Sequence, residues 1–412
     1  MAQQRMVIAG GGLAGATAAK TLRAEGYTGP ILMLAAENRI PYLRPPLSKE
    51  FLLGKVGEDS VPVVPAGWYG ENNVELVLGS PATGISPASH TVALQDGRTV
   101  DYSKLLIATG ARPRRIPVPG SDLDNVMTFR TFDDSLKLRT LLQDGGRKVV
   151  MVGSGWIGME LAAAARSYGN DVTLLGLEDV PLSAAIGPEL GSYFRRMHEE
   201  HGVRFRLPAS AAVIEGRGGR AAAVRTSTGE SLQADIVVLA AGVSPDTSLA
   251  EGAGLVLNNG ILVDSGLHTS APDILAAGDA ANALHPFTGE HHRSEHWANA
   301  LNGGKVAARS MLGKAAVLDA VPYFYTDQFN LSMEYSGFPS LASGIEPVIR
   351  GSLDDGSFNA FWVRGNHVVA GMSVNQGRVQ KPIKALISGR IQVDIARLTD
   401  AQVPLQEMLP AA

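Results

Sequence analysis

Two hexapeptides in this chain have the residue types and spacing to hold a pyrophosphate: Gly10-Gly11-Gly12-Leu13-Ala14-Gly15 and Gly153-Ser154-Gly155-Trp156-Ile157-Gly158. Each follows a short apolar run, Arg5 to Ala9 and Lys148 to Val152, and each opens an alanine-rich stretch with helical character. In strand–turn–helix order, the first glycine allows a tight turn and the second lets a phosphate approach the backbone. The third lets the helix pack closely on the strand. The helix N-terminus then presents free N–H groups and the positive end of its dipole. One such motif is weak evidence. Two in the same context imply two dinucleotide sites.

The residues at the ends of the following strands bear on which dinucleotide binds. After the apolar run Ile31 to Leu34 comes Glu37, about 20 residues past the first cradle, where a carboxylate takes ribose hydroxyls. After Asp171 to Leu175 the chain gives Gly176, with Glu178 and Asp179 only later. A carboxylate at the strand end favours NAD and a nearby Arg favours NADP. Neither stands there cleanly, so NADH and NADPH both stay open. Ala108-Thr109-Gly110 and Ala240-Ala241-Gly242 close two further apolar strands, with small residues where a ligand or another backbone can approach. Ala277-Gly278-Asp279 is a third turn of this kind, and Asp279 is suited to accept hydrogen bonds from a flavin's ribityl or phosphate region.

Arg44 and Lys49 are cations on a proline-rich connection, read from sequence as solvated surface charge, with Ser48 as a cap for the segment starting at Lys49. His285, His291, His292 and His296 cluster, yet no carboxylate or thiolate pattern accompanies them, and no metal site is assigned. Helical periodicity marks Asp133 to Leu142, Asn299 to Leu312 and Gln380 to Ile387. From Pro322 onward, aromatic-rich runs at 323–325, 331–335, 358–363 and 368–371 predict an antiparallel sheet. Arg378, Lys381, Lys384, Arg390 and Arg397 oppose only Asp394, a solvated face or a dock for an acidic protein, to which Arg309 and Lys314 would add.

The 412 residues predict two or three domains, and 45% apolar content is enough for real cores. With 36 basic against 40 acidic residues the net charge is −4, which argues against nucleic-acid binding. No apolar run reaches membrane-span length, and no basic-then-apolar signal opens the chain, so the expected protein is cytoplasmic. The absence of cysteine rules out disulfides, thiolate metal sites, cysteine nucleophiles and protein-held iron–sulfur clusters.

Arg44-Pro45-Pro46-Leu47-Ser48-Lys49, Ala108-Thr109-Gly110, Gly153-x-Gly155-Trp156-Ile157-Gly158-x-Glu160, Ala277-Gly278-Asp279, Glu295-His296-Trp297 and Tyr323-Phe324-x-x-Asp327-Gln328 occur in that order. Together they resemble the FAD-dependent NAD(P)H:ferredoxin reductases of bacterial oxygenase systems, the putidaredoxin-reductase and rubredoxin-reductase type, across essentially the whole chain. The resemblance implies an α/β, glutathione-reductase-like two-dinucleotide-binding flavoprotein with a C-terminal α+β domain. FAD would sit in a split domain, 1–112 and 243–320, NAD(P)H in 113–242, and residues 321–412 would complete the flavin pocket. The FAD positions it implies are Gly10, Gly12, Leu13, Ala14, Gly15, Glu37, Arg44, Lys49 and Ala82. They continue with Ala108, Thr109, Gly110, Arg130, Gly278, Asp279, Glu295, His296 and Trp297. For NAD(P)H they are Gly153, Gly155, Trp156, Ile157, Gly158, Glu160, Glu178 and Gly242.

Lys49 would lie near the isoalloxazine, paired with Glu160 beside the nicotinamide, and these two are the implied catalytic residues. The implied reaction passes a hydride from NADH or NADPH to FAD, then single electrons to a small acidic ferredoxin. Nucleic acid and membrane have no part in it, and the protein would be a monomer or homodimer. Thioredoxin and glutathione reductases need a redox disulfide that this chain cannot form. The alternatives are an NAD(P)H oxidase or quinone reductase with a small acceptor, and a non-enzymatic redox sensor. Three positions depart from the family pattern: Ala36 stands where relatives carry Asp, Gly176 where they carry an acid, and Tyr325 where many carry Trp.

Overall fold

The computed structural model describes residues 5–410. The chain divides into two compact units. One holds residues up to Arg44, Glu58–Arg112 and Ser244–Pro322; the other holds Pro45–Gly57, Pro113–Val243 and from Tyr323 onward.

The first unit is built on a five-stranded parallel sheet in the order Ile274–Ala276, Lys104–Ile107, Met6–Ala9, Ile31–Leu34, Val74–Val77. The central strands are apolar at every position because both faces are covered. Helix Leu13–Ala24 packs on strand Met6–Ala9 with alanines inward: Ala14, Ala16, Ala18 and Ala19 are buried. Helix Trp297–Met311 lies against it, and Gly304 makes the crossing close, since a Cβ there would stand 2.5 Å from the Ala14 carbonyl. A small antiparallel sheet, Ala82–Ser86, Thr91–Leu94 and Thr99–Asp101, completes the unit.

The second unit repeats the parallel plan in the order Arg204–Arg206, Asp171–Leu175, Lys148–Val152, Ile236–Leu239, Val126–Thr128. It adds a three-stranded antiparallel sheet, 211–217, 220–226 and 231–233. It also holds a five-stranded antiparallel sheet in the order Tyr323–Gln328, Leu331–Gly337, His367–Val374, Ser357–Arg364, Val348–Ser352. Helix Gln380–Ser388 covers that sheet with Ile383, Leu386 and Ile387. The two parts share one apolar core, in which Trp156 meets Phe324 at 5.2 Å and Tyr193 meets Phe358 edge-on at 5.1 Å.

The grouping differs from the expected 1–112, 113–242 and 321–412 in one respect that matters for chemistry. Residues 45–57 keep company with the second unit, because their contacts lie there. Ser135 Oγ donates to the Leu47 carbonyl at 2.7 Å, Tyr168 Oη to the Leu52 carbonyl at 2.8 Å, and the Arg139 guanidinium sits 5.0 Å over the Phe51 ring. Helix Pro188–Glu200 and the strands Ala211–Arg217 and Val348–Ser352 were not anticipated from sequence.

Candidate functional site

In the first cradle, Gly10 takes φ +142°, and a Cβ there would collide with the Ala108 carbonyl. Gly15 is bound in the same way by the Gly10 carbonyl. Gly12, by contrast, has no atom within 4 Å of where a Cβ would stand. It is the N-cap of helix Leu13–Ala24, with φ −93° and no side chain capping the first turn. The site thus leaves helix N–H groups and open space together, which is what a pyrophosphate requires.

Beyond strand Ile31–Leu34, Glu37 is pinned by Tyr42 Oη at 2.5 Å on one oxygen and by Arg44 at 3.0 Å on the other. A carboxylate has about four lone pairs, so each oxygen retains one for a ribose hydroxyl. On the third strand, Thr109 Oγ1 donates to the Asp246 carbonyl at 2.7 Å, and Asp246 N–H returns a bond to the Gly110 carbonyl at 2.9 Å. Gly278 takes φ +75°, and its Cβ would stand 3.2 Å from the Ala14 Cβ, so the Ala277-Gly278-Asp279 turn abuts the first cradle. His296 is the N-cap of the helix that begins at Trp297. Burial pushes its imidazole down to about 4 against the pull of Asp279, so it is neutral at pH 7. Glu295 is held by Arg293 at 2.6 Å, and Ala82 starts a strand opposite Leu94.

The second cradle repeats this geometry. Gly153 takes φ +125° against the Ala240 carbonyl, and Gly158 abuts the Gly153 carbonyl. Gly155 has open space and caps helix Trp156–Ser167 with no side-chain bond. Gly153 N–H donates to the Leu175 carbonyl at 2.8 Å, as Gly10 N–H does to Leu34 at 2.9 Å. The Ala240-Ala241-Gly242 turn therefore stands to the second cradle as Ala108-Thr109-Gly110 stands to the first. Ile157 is 44% exposed, and Trp156 packs edge-on against Phe194 at 5.6 Å. Glu178 accepts from Ser183 Oγ at 2.9 Å and from Ala184 N–H at 3.4 Å.

In the second turn of this helix lies the most unusual charge arrangement of the unit. Glu160 is 4% exposed and Lys49 is 7% exposed, with Nζ 2.8 Å from Oε1. Ser48 Oγ donates to Oε2 at 2.5 Å, and Thr326 Oγ1 donates to Oε1 at 2.6 Å. Gln328 Nε2 donates to Thr326 Oγ1 at 3.1 Å, and His198 Nε2 meets Gln328 Oε1 at 2.8 Å. With His198 as the Nε2–H tautomer, every donor in the chain His198–Gln328–Thr326 points toward the carboxylate, so the network is polarised in one direction. Burial pushes His198 down to about 4, so the ring is neutral and Nδ1 carries no proton. The Tyr325 ring lies 5.4 Å from Lys49 Nζ, and burial, with help from Glu50, pushes its phenol up to about 12.

These contacts correct two expectations. Lys49 is not a solvated surface charge, because Glu160 draws it into the interior. Ser48 does not cap a helix; it sits in the 3₁₀ turn Pro45–Ser48 and spends its hydroxyl on Glu160. Arg44 is half-buried and spends its charge on Glu37. Arg309 and Lys314 both bind Glu25, at 2.9 and 2.7 Å, which leaves them a poor reserve for a docking partner. Arg130 lies in the second unit, just ahead of the capping box of helix Phe132–Leu142.

Thr326, Gln328 and His198 were missed in the sequence. A signal existed for two of them: Thr326 and Gln328 alternate on the inward face of an aromatic strand, where a polar side chain needs a buried partner. The histidines at 285, 291 and 292 lie on one hairpin, and His292 Nε2 meets Thr288 Oγ1 at 2.7 Å.

Two cradles shaped for a pyrophosphate, with a buried lysine–carboxylate pair on the second, are the pattern of a two-dinucleotide oxidoreductase. Residues 4–304 match the pyridine nucleotide-disulphide oxidoreductase family and residues 323–409 match the reductase C-terminal family. The chain is similar to the ferredoxin–NAD(+) reductase component of the anthranilate 1,2-dioxygenase system of Burkholderia cepacia, at 36% identity over 99% of this chain and 100% of that one. It is 34% identical to rhodocoxin reductase of Rhodococcus erythropolis over 97% of this chain and 93% of that one. Among solved structures, putidaredoxin reductase in its covalent complex with putidaredoxin superposes with a TM-score of 0.95 at 33% identity, covering 99% and 98% of the two chains. The chain belongs to the pyridine nucleotide-disulphide oxidoreductase family. It is an oxidoreductase whose cofactors are FAD and NAD(P)H. Among the described residues no helix is long and apolar enough to cross a membrane.

Proposed function

We propose that this protein carries electrons from NAD(P)H through FAD to a small acidic iron–sulfur ferredoxin that serves an oxygenase, as the names of its relatives indicate for them. The observation that carries this reading is two complete dinucleotide cradles in a chain with no cysteine. A disulfide relay is impossible, so electrons leave to an external acceptor.

FAD, when bound, supplies the ability to accept a hydride and to release electrons singly. The first cradle, with Glu37, Arg44, Ala82, Thr109, Asp279, Glu295, His296 and Trp297, is assigned to FAD. The second, with Trp156, Ile157, Glu178 and Gly242, is assigned to NAD(P)H. Glu160 holds Lys49 in place at 2.8 Å, and a preorganised cation in a dry site stabilises negative charge that develops on hydride transfer. Arg130 is assigned to FAD on family pattern alone. In functional terms the chain is read as an FAD part (1–112 and 243–320), a nicotinamide part (113–242) and a C-terminal part (321–412), working in the cytoplasm.

Arg378, Lys381, Arg390 and Arg397 are exposed and are assigned to ferredoxin docking. Raising salt should then raise the apparent KM for ferredoxin, and a salt-insensitive KM would remove that assignment. The deciding experiment is steady-state reduction of purified ferredoxins with each nicotinamide, with the released flavin identified. Rapid turnover with oxygen or quinones and no stimulation by any ferredoxin would select a small-acceptor oxidase instead.

A further inference from the structure

The two cradles align in register through one shared hydrogen bond, and the alignment exposes an exchange of side chains at the nucleotide's ribose end. Leu34 and Leu175 occupy the same place, each accepting from the first glycine of its cradle. Ala35 is therefore equivalent to Gly176, Glu37 to Glu178 and Gly11 to Ser154. In the first cradle the loop residue is the bare one, and a Cβ on Gly11 would stand 2.5 Å from the Ala35 Cβ. In the second the strand end is bare. A Cβ on Gly176 would collide with Ser154 Oγ and come within 2.7 Å of Ser154 Cβ and 2.8 Å of Leu207 Cδ2. One side chain fits this space in each cradle, and in the second it is a serine.

Ser154 is 8% exposed and makes no hydrogen bond to another described residue. It lies between the glycines of the cradle, and its Oγ stands against the place a Cβ of Gly176 would take, at the end of the next strand, where dinucleotide sites place the carboxylate that reads the ribose 2′-hydroxyl. Such a carboxylate repels a 2′-phosphate. A hydroxyl accepts from one and donates to the other. Glu178 is drawn to Ser183 and Ala184, and Leu177 beside it is 80% exposed and apolar.

Resting on the assignment of the second cradle to NAD(P)H, we propose that Ser154 reads the adenosine ribose of the nicotinamide cofactor in place of a strand-end carboxylate. Its side chain also bars any such carboxylate from position 176. Ser154 is then a specificity-determining residue, and Ser154 with Gly176 forms a coupled pair. The consequence is a strand end without a carboxylate of its own, with Glu178 turned to Ser183 and Ala184, that accepts NADH and NADPH alike.

The test is calorimetric titration of the FAD-loaded protein with ADP-ribose and with 2′-phospho-ADP-ribose, which needs no turnover and no ferredoxin. Wild type should bind both, with dissociation constants within about tenfold of each other. Ser154→Ala should weaken both by about three- to tenfold. Gly176→Glu alone should weaken both by more than about tenfold, through the clash with Ser154. Ser154→Gly combined with Gly176→Glu should recover ADP-ribose and prefer it by at least about a hundredfold, a coupling that neither single change predicts. Unchanged binding in Ser154→Ala, or Gly176→Glu alone sharpening selectivity without loss, would overturn the proposal. Wild-type protein that binds neither probe would overturn the assignment of the cradle itself. Should Gly176→Glu not fold, the Ser154→Ala titration still decides.

Discussion

The cradles at Gly10–Gly15 and Gly153–Gly158 share their backbone down to the hydrogen bond from first glycine to strand-end leucine, and they part company wherever a side chain is needed. Beside the first, Glu37 is pinned by a tyrosine hydroxyl and a guanidinium. Beside the second, the equivalent Glu178 is pinned by a serine hydroxyl and a backbone amide. The first helix turns alanines inward; the second turns Glu160 inward to meet Lys49. Pyrophosphate binding is a property of backbone and can be duplicated without change. Nucleotide identity and chemistry are properties of the few side chains at strand ends and on the helix, and there the copies diverged.

The sharpest way to separate the copies is to fill each open glycine. Gly12 and Gly155 have ordinary φ and no atoms near a new Cβ, so Gly12→Ala and Gly155→Ala should fold with melting temperatures close to wild type. Each should lose its own dinucleotide by more than about a thousandfold, roughly 4 kcal/mol. Gly12→Ala should purify without flavin, and Gly155→Ala should keep its flavin spectrum while failing to be reduced by NAD(P)H. Joint loss of both ligands in either variant would break the comparison.

The two ion pairs differ in the same spirit. Lys49–Glu160 is buried, while Arg44–Glu37 is about one-third exposed on each side. Removing one partner of a buried pair costs about 3–5 kcal/mol, and of an exposed pair about 0–1 kcal/mol. Lys49→Met should therefore lower the urea midpoint strongly and slow flavin reduction in stopped flow, whereas Arg44→Met should do neither to a comparable degree. A stopped-flow trace for Lys49→Met identical to wild type would remove Lys49 from the chemistry.

His296 in the first unit and His198 in the second are both pushed down to about 4 by burial, and burial lowers His285 of the first unit as well. The folded pKa lies below the unfolded value of about 6.5, so the unfolded chain binds more protons between the two. Stability is thus fully present above about pH 6.5 and is lost as pH falls toward 4, by a few kcal/mol in all for each residue. Urea midpoints measured from pH 7 to pH 4.5 should show this decline, and His198→Leu should flatten part of it. An unchanged slope in that variant would mean that His198 is not the buried neutral group inferred from its place.

Much of this was legible in the residues because glycine turns and apolar strands are local signals. Both cradles, the strand-end turns at Thr109 and Ala241, and the aromatic sheet from Tyr323 follow from spacing and periodicity within a few residues of one another. Lys49 is the opposite case: its pairing with Glu160 is implied by the family resemblance and is present at 2.8 Å, whereas its local reading as a solvated cation fails. A lysine after two prolines carries no local sign that a carboxylate over a hundred positions away will enclose it, so the common reading, a solvated cation, was chosen. His198 was illegible because helix Pro188–Glu200 was not recognised at all. Thr326 and Gln328 lie just past the aromatic run 323–325, on the inner face of the strand that continues it, and a polar residue there names no partner until the fold supplies one.

That buried chain gives the finest comparison of the two regions. Thr326→Val and Tyr42→Phe each remove one hydroxyl from a carboxylate while keeping the shape of the side chain. In water-accessible surroundings the Glu37 oxygen released by Tyr42→Phe takes a water instead, and the loss should stay below about 1 kcal/mol. Glu160 has no such recourse at 4% exposure. Thr326→Val leaves its Oε1 with Lys49 alone and strips Gln328 Nε2 of its acceptor, so two buried groups go short of a partner, at a cost of about 1–3 kcal/mol. Thr326→Val should therefore lower the melting temperature by more than Tyr42→Phe does. Equal losses in the two variants would show that the burial of Glu160 adds nothing to the worth of its hydroxyl partner, and would erase the difference between the two carboxylates.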